Sequence, residues 1–172
     1  MPAVNGWCWN MPNLPPSDDV LDARLRLIVA SYRRLTGRQL VLCSAAGDIA
    51  ALRAALWDAP CAVVAHGTQA DPIFFYGNRR ALQLFEMCFD EFTRLPSRYS
   101  AEAVEQATRI ALLERVTRLG FVDDYSGTRI AKSGKRFQIR NATVWNLLDE
   151  AGEYHGQAAC FVVQDGCFPA AC

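Results

Sequence analysis

The sequence has little of the chemistry that marks metal, redox and disulfide-rich proteins. It contains only two histidines, His66 and His155, and its seven cysteines are widely spaced, with no Cys-x-x-Cys pair. An odd number of scattered cysteines does not predict a disulfide framework, and a zinc site would need ligands from distant positions. We therefore expect a metal-free protein with reduced thiols, located in the cytoplasm.

The chain also lacks net charge and long hydrophobic runs. Its eighteen acidic and eighteen basic side chains give a formal net charge of zero. A protein held to nucleic acid or anionic lipid by charge alone would be basic, so we expect no direct nucleic-acid partner. No apolar run approaches the roughly 20 residues that cross a bilayer, and the opening residues lack the cationic start of a signal peptide. We expect no membrane association.

What the chain does contain predicts one folded domain with an extension. Of its 172 residues, 51% are apolar, and a chain of this length buries roughly 70% of its unfolded surface. Composition divides the chain into an irregular N-terminal segment (1–16), an N-terminal helical extension (17–58), an α+β domain (59–164) and a C-terminal tail (165–172). Trp7 and Trp9 in the first segment are expected to lie against the domain or a partner.

The extension has the pattern of an amphipathic helix. Ser17 is the expected N-cap, the helix is expected over Asp18 to Leu35, and Gly37 ends it. Its apolar stripe comprises Leu21, Leu25, Ile28, Tyr32 and Leu35. The stripe has heptad-like spacing, so it either packs on the domain or pairs with a second copy, and we favour a homodimer. A shorter helix is expected over residues 47–58.

The remaining pattern predicts a five-stranded antiparallel sheet with flanking helices. Strands are expected over residues 61–65, 73–76, 121–130, 137–145 and 157–163. The longest helix of the domain is expected over Ser100 to Leu119. In that helix Glu105 stands four residues before Arg109, the favourable order for an ion pair on the solvent-exposed side. Asn78 follows the second strand and is expected to cap the next helix.

The order of these elements, and the segment over residues 73–85, resemble the PAS fold. A finer similarity is to the MEKHLA domain, a PAS-related module found at the C-terminus of plant class III homeodomain-leucine zipper proteins and alone in small bacterial and algal proteins. The residues that carry this similarity include His66-Gly67, Asp71-Pro72, Tyr76-Gly77-Asn78, Leu84-Phe85-Glu86, Leu95-Pro96-Ser97-Arg98, Asp124-Tyr125-Ser126-Gly127, Val144-Trp145-Asn146-Leu147 and Gly156-Gln157-Ala158-Ala159. They occur in consistent order between about Ala59 and Val163.

The resemblance implies a non-catalytic sensor or interaction module. The plant modules are associated with regulating dimerisation, and PAS domains bind small molecules or partners on the concave face of the sheet. No homeodomain or zipper is present here, so the DNA-binding role does not transfer. We expect a small molecule or a signalling protein partner to be bound, and a change in association, for example of a homodimer, to be the output.

No cofactor is predicted. A haem would need an axial ligand, commonly histidine, on or near the long helix, and residues 100–119 contain neither His nor Cys. A photoactive flavin site of the light-oxygen-voltage type would need the motif Asn-Cys-Arg-Phe-Leu-Gln, and nothing in the sequence is similar to it.

The candidate ligand-binding residues follow from the expected inward faces and the family resemblance. They are His66, Phe75, Tyr76, Asn78, Phe85, Tyr125, Arg129, Phe137 and Trp145. Strict alternation from Phe137 puts Trp145 on the same, inward face. A cavity between sheet and helices is expected to be lined by some of Phe75, Phe85, Ile110, Phe121, Phe137, Trp145 and Phe161.

Three alternatives remain open. A small enzyme could use His66 with Asp71 for acid/base chemistry in a PAS-like pocket. Asp123 or Asp124 could pair with Arg129 or Arg136 across the sheet and so fix its register. The tail cysteines Cys167 and Cys172 could form a redox switch.

Overall fold

The fold was analysed in a computed structural model that describes residues 14–15, 17–42 and 47–163. Helix α1 spans Asp19–Thr36, and α2 spans Ile49–Trp57. The N-cap of α1 is Asp18 rather than the predicted Ser17, because the Asp18 carboxylate accepts a hydrogen bond from the Leu21 amide at 2.7 Å. Gly37 ends the helix as predicted, in the left-handed conformation with φ 69°.

Five strands form a single antiparallel sheet. They are β1 (Ala62–His66), β2 (Phe74–Gly77), β3 (Phe121–Ile130), β4 (Arg136–Leu148) and β5 (Tyr154–Val162). The spatial order is β2-β1-β5-β4-β3, and each neighbouring pair is antiparallel. The predicted sheet is thus confirmed, with the first and last strands adjacent at its centre.

Three helices and two 3-10 turns connect β2 to β3. They are α3 (Arg79–Phe85), α4 (Phe89–Phe92), two 3-10 turns (Ser97–Ser100 and Ala103–Glu105) and α5 (Gln106–Leu119). The long helix therefore begins at Gln106 and not at Ser100. The backbone of Ala101 and Glu102 is extended, which interrupts the helical hydrogen bonds between the two turns.

Helix α1 covers the outer face of the sheet. The side chains of Leu25 and Ile28 are fully buried. The Trp145 indole of β4 donates to the Ile28 carbonyl at 3.3 Å, and its ring lies edge-on to Tyr32 at 4.8 Å between centroids. The apolar stripe is therefore covered within the chain. The interpretation that this stripe pairs with a second copy is corrected, and dimerisation through another surface stays a prediction.

A bulge in β4 divides the strand between the two faces of the sheet. Asn141 has φ 51°, and the pairing with β5 shifts between Arg140 and Thr143. The bulge inserts one residue into the alternation, so Trp145 points away from the face that carries Phe137. The expectation that both side chains point inward is wrong for this reason. Phe137 packs on the inner face, with its ring centroid 5.2 Å from that of Phe85.

Several predictions fall outside the described residues. These concern Trp7, Trp9, Cys167 and Cys172, together with most of the expected N-terminal segment and the tail. Among the helices that are described, none combines the length and apolarity needed to cross a membrane.

Candidate functional site

A small cavity lies between the inner face of the sheet and helix α5. Its volume is about 60 Å³. Apolar side chains make most of its wall, among them Phe85 from α3, Leu112 from α5, Val144 from β4 and Phe161 from β5. The polar and charged side chains on the wall are His66, Ser100, Arg109, Tyr125, Arg129 and Gln157. An apolar cavity with a few converging polar groups is the usual form of a small-molecule site.

Arg109 enters the cavity from α5 and is only 8% exposed. Its Nη2 donates to the Ser97 hydroxyl at 2.6 Å. The predicted ion pair with Glu105 on the solvent-exposed side is not formed, because Glu105 ends a 3-10 turn and Arg109 turns inward. Burial, with the nearby charge of Arg129 as a second cause, lowers the pKa of Arg109 to about 10. The guanidinium is therefore still charged at neutral pH.

Arg129 reaches the same cavity from β3 and is 9% exposed. Its Nη2 donates to the Tyr125 hydroxyl at 3.0 Å, and its Nη1 donates to the Thr128 carbonyl at 2.9 Å. Both acceptors are neutral, and among the described residues neither Arg129 nor Arg109 forms an ion pair. Two buried cations thus face one cavity without a carboxylate partner.

The two acids that could pair with Arg129 or Arg136 across the sheet bind elsewhere. Asp123 pairs with Arg38 at 2.9 Å, and Asp124 pairs with Arg115 at 3.2 Å. The pairing of β3 with β4 is irregular between Val122 and Tyr125, so both carboxylates lie on the surface. Arg136 pairs with Glu102. The possible cross-sheet pair is therefore not formed, and Arg129 faces the cavity.

His66 lies at the end of β1, on the cavity wall and 7% exposed. Its Nδ1 is 2.9 Å from the Gly67 carbonyl, which can only accept a hydrogen bond, so Nδ1 carries the proton. Nε2 is buried and has no hydrogen-bond partner among the described residues. Burial lowers the pKa of His66, and the Arg109 charge lowers it further, although the bond to Gly67 opposes this. The ring is therefore neutral at pH 7.

The pair that acid/base catalysis would require is not formed. The Asp71 carboxylate binds Arg98, with 3.0 Å between the Arg98 Nε and the Asp71 Oδ2, on the exposed surface. The polar neighbour of His66 is instead a backbone carbonyl. His66 thus lies in the cavity without a carboxylate partner.

Asn78 is the N-cap of α3, as predicted. Its Oδ1 accepts from the amides of Ala81 at 3.1 Å and Val63 at 2.9 Å. Its Nδ2 donates to the carbonyls of Leu56 and Cys61. The hydrogen-bonding capacity of this buried amide is used to join α3 to β1 and to the end of α2.

The structure brings some of the predicted ligand-binding residues together and separates the others. His66, Phe85, Tyr125 and Arg129 line the cavity, as does Phe161. The side chains that lie outside its wall are Phe75, Tyr76, Asn78, Phe137 and Trp145, together with Ile110 and Phe121. Ile110 is 55% exposed on α5, and Phe75 packs under the Arg24 guanidinium of α1.

Sequence reasoning missed three polar residues of the wall, Ser100, Arg109 and Gln157. A signal for one of them was present. Arg109 stands three residues before Leu112 and seven before Val116, which are the buried apolar residues of α5. This spacing places Arg109 on the buried stripe of the helix.

Possible metal ligands are scattered in the described parts of the chain. Within residues 17–42 and 47–163, no three His, Cys, Asp or Glu side chains come together in a group that could hold an ion.

The five-stranded antiparallel sheet with its flanking helices defines the class of protein as a PAS-like domain, and solved structures agree. A PAS domain from Colwellia psychrerythraea matches with a TM-score of 0.57 and 16% identity, over 67% of this chain and 97% of that chain. The light-state dimer of the fungal blue-light photoreceptor Vivid matches with a TM-score of 0.55 and 16% identity, over 86% of this chain and 96% of that chain. A light-oxygen-voltage domain studied with a flavin analogue matches with a TM-score of 0.54 and 16% identity, over 70% of this chain and 89% of that chain.

The chain belongs to the MEKHLA domain family, whose model matches residues 22–164. The predicted resemblance is thereby confirmed. The match begins within α1 and so includes the helix on the outer face of the sheet. The search of curated proteins found no match to this sequence.

Proposed function

We propose that this protein is a non-catalytic sensing module that binds a small molecule in the cavity and signals through α1. One observation carries the proposal: β4 touches both the cavity and the helix. Val144 lines the cavity on one face, and the next residue, Trp145, donates to Ile28 of α1 on the other. A displacement of this strand by a ligand would therefore act directly on the docking surface of α1.

The volume of the cavity sets the size of the ligand. About 60 Å³ is available, about four to six times the roughly 10–15 Å³ that a cavity needs to hold one water molecule. Pockets for drug-sized ligands span roughly 300–1,000 Å³. A flavin would not fit without rearrangement of the wall, so the proposed ligand is much smaller.

The proposed output is a change in association with a second copy or with a signalling protein. Helix α1 docks through its buried stripe, while Val20 on the same helix is 62% exposed. A shift of α1 would alter the surface that another chain meets. The proposal includes a reducing, cytoplasmic setting, as the scattered cysteines of the sequence predict.

Native mass spectrometry of protein purified from its own host tests the proposal. We expect a bound small molecule in the wild type and its loss in Ala142→Leu, which fills the cavity from β4. Ala151→Leu, in the exposed turn after β4, is the control and should retain the molecule. Hydrogen exchange of α1 should differ between the loaded and emptied protein. A wild type without any bound molecule, and an α1 that exchanges identically in all three proteins, would overturn the proposal.

A further inference from the structure

We propose that the cavity ligand is a short-chain carboxylate, held at its charged end by Arg109 and Arg129. This inference rests on the proposed function and names the chemical class of ligand for that same cavity. It is argued from the charges, the free donors and the shape of the wall.

The charge of the wall is unbalanced. Arg109 and Arg129 are each more than nine-tenths buried, and both line the same cavity. A buried cation without a counter-ion is strongly destabilising, and two that face each other add repulsion. Asp71 is the acid whose negative charge acts on Arg109. Its carboxylate is already paired with Arg98 at the surface. An anion inside the cavity would compensate both guanidinium groups at once.

The two arginines retain donors for such an anion. A guanidinium has five N–H donors in a planar fork. Among the described residues, Arg109 forms one hydrogen bond, to Ser97, and Arg129 forms two, to Tyr125 and Thr128. A planar carboxylate accepts two parallel bonds from such a fork. Enough donors therefore remain on the two guanidinium groups to bind both oxygens of a carboxylate.

The rest of the wall favours an organic anion over an inorganic one. Beyond the arginines the cavity is lined by hydrocarbon, including Leu112, Ile139, Val144 and Phe161. A phosphate or sulfate would place charged oxygens against these side chains, whereas a short alkyl chain would be buried favourably there. The small volume limits that chain to a few carbons. Acetate, propionate and butyrate are suitable probes.

The test compares propionate with propionamide, which has nearly the same shape but no charge. Binding to the native state raises the melting temperature, and a ligand at about ten times its Kd should raise it by about 3 to 6 °C. We expect this rise with sodium propionate and not with propionamide or with sodium chloride at equal ionic strength. An equal rise with propionamide, or with chloride or phosphate, would overturn the proposal. This comparison uses the wild-type protein and does not depend on the folding of a variant.

Two variants test the residues. Arg109→Gln and Arg129→Gln should each reduce the affinity for propionate at least tenfold by calorimetry, because each removes a charge and a donor fork. Arg118→Gln, on the exposed face of α5, should leave the affinity unchanged. Full affinity in both cavity variants would contradict the assignment.

The outcome separates this inference from the proposed function. If native mass spectrometry finds a neutral molecule in the cavity and propionate has no effect, the carboxylate is wrong and the sensing proposal stands. If neither the host-purified molecule nor any carboxylate binds, both are wrong.

Discussion

Ser31 in α1 and Leu148 in β4 exchange two hydrogen bonds. The Ser31 hydroxyl donates to the Leu148 carbonyl at 2.9 Å and accepts from the Leu148 amide at 2.9 Å. Arg34, one turn further along α1, donates to the carbonyls of Leu148 and Asp149. The helix is therefore fixed to the end of β4 by its polar groups as well as by its apolar stripe, which gives it one register on the sheet.

Replacing Ser31 with alanine tests this attachment. Ser31→Ala leaves the Leu148 amide without its partner on α1, while the Leu148 carbonyl keeps its bond from Arg34. A lost buried partner costs about 1–3 kcal/mol. Urea unfolding should show this loss, and the amides of α1 should exchange faster. Thr36→Ala is the control, because the bonds of the Thr36 hydroxyl are local: it donates to the Tyr32 carbonyl and accepts from the Arg38 amide, and neither partner lies in the sheet. Equal losses for the two variants would argue against a special role for the Ser31 bonds.

Substitutions in α1 also distinguish packing within the chain from an interface between copies. Leu25 is fully buried against the protein's own sheet. Leu25→Ala should therefore reduce the free energy of unfolding by about 2–5 kcal/mol at every protein concentration. Val20→Ala, at the exposed position on the same helix, should change it by less than about 0.5 kcal/mol. A cost for Leu25→Ala that depends on protein concentration would instead indicate that this stripe joins two chains.

Local sequence patterns were sufficient for most elements of the fold. Asn78 could be recognised as a cap and Gly37 as a helix end because both signals act within a few residues. The bounds of β3 were predicted as observed, since turns enclose its run on both sides. Such signals do not depend on distant contacts.

The orientation of Trp145 and the burial of Arg109 could not be predicted from local sequence patterns. Strict alternation assigned Trp145 to the cavity, but the bulge at Asn141 reverses the alternation, and a bulge is fixed by pairing with the neighbouring strands. The rule that charged residues face water assigned Arg109 to the surface. Its burial depends on the cavity and on Ser97, which the fold brings to it.

Gly156 allows β5 to approach β1 at the cavity. Its φ is +125°, and a Cβ built on it would lie 2.0 Å from the His66 carbonyl oxygen. Gly156→Ala must therefore push the two central strands apart as well as strain the backbone. Gly152→Ala, with φ +85° and no atom within 4 Å of the added Cβ, is the matched control for strain alone.

Thermal and urea unfolding should separate the two effects. We expect Gly152→Ala to cost about 1–2 kcal/mol, the usual penalty for a left-handed conformation. Gly156→Ala should cost at least about 2 kcal/mol more, and it should also change the chemical shifts of His66. Similar costs for the two variants would mean that the strands separate freely at this point.

The protonation of His66 should report the charge of the cavity. Burial and Arg109 both lower its pKa, so the ring should remain neutral below the ordinary value of about 6.5. The unfolded chain then binds a proton that the folded chain does not, so stability is retained above about pH 6.5 and is lost as the pH falls below it.

Arg109→Gln should raise the pKa of His66, because it removes a nearby positive charge, while burial still keeps the value below that of an exposed histidine. Imidazole nitrogen shifts measured against pH would give the result directly. Arg118→Gln, on the same helix but exposed, should leave the His66 titration unchanged. An unchanged titration in Arg109→Gln would show that this guanidinium does not act on the ring.

The thiols of Cys61 and Cys160 form a neighbouring pair on the outer side of the sheet. Cys160 lies in β5 opposite Val63 and Thr143, and Cys61 comes just before β1. The hydrogen bond from the Cys160 thiol stabilises the Cys61 thiolate and lowers the pKa of Cys61 to about 7, although burial opposes this. The same contact, together with burial, raises the pKa of Cys160.

Alkylation of Cys61 should therefore have its midpoint near pH 7 in the folded protein. In Cys160→Ala the donor is lost, and the midpoint should move up to or above the ordinary thiol value of about 8.5. At neutral pH this corresponds to about a tenfold slower reaction with iodoacetamide, measured by peptide mass mapping under native conditions. Cys88→Ala, at the start of α4, is the control and should not alter Cys61. A midpoint that stays near pH 7 in Cys160→Ala would assign the low pKa to another group.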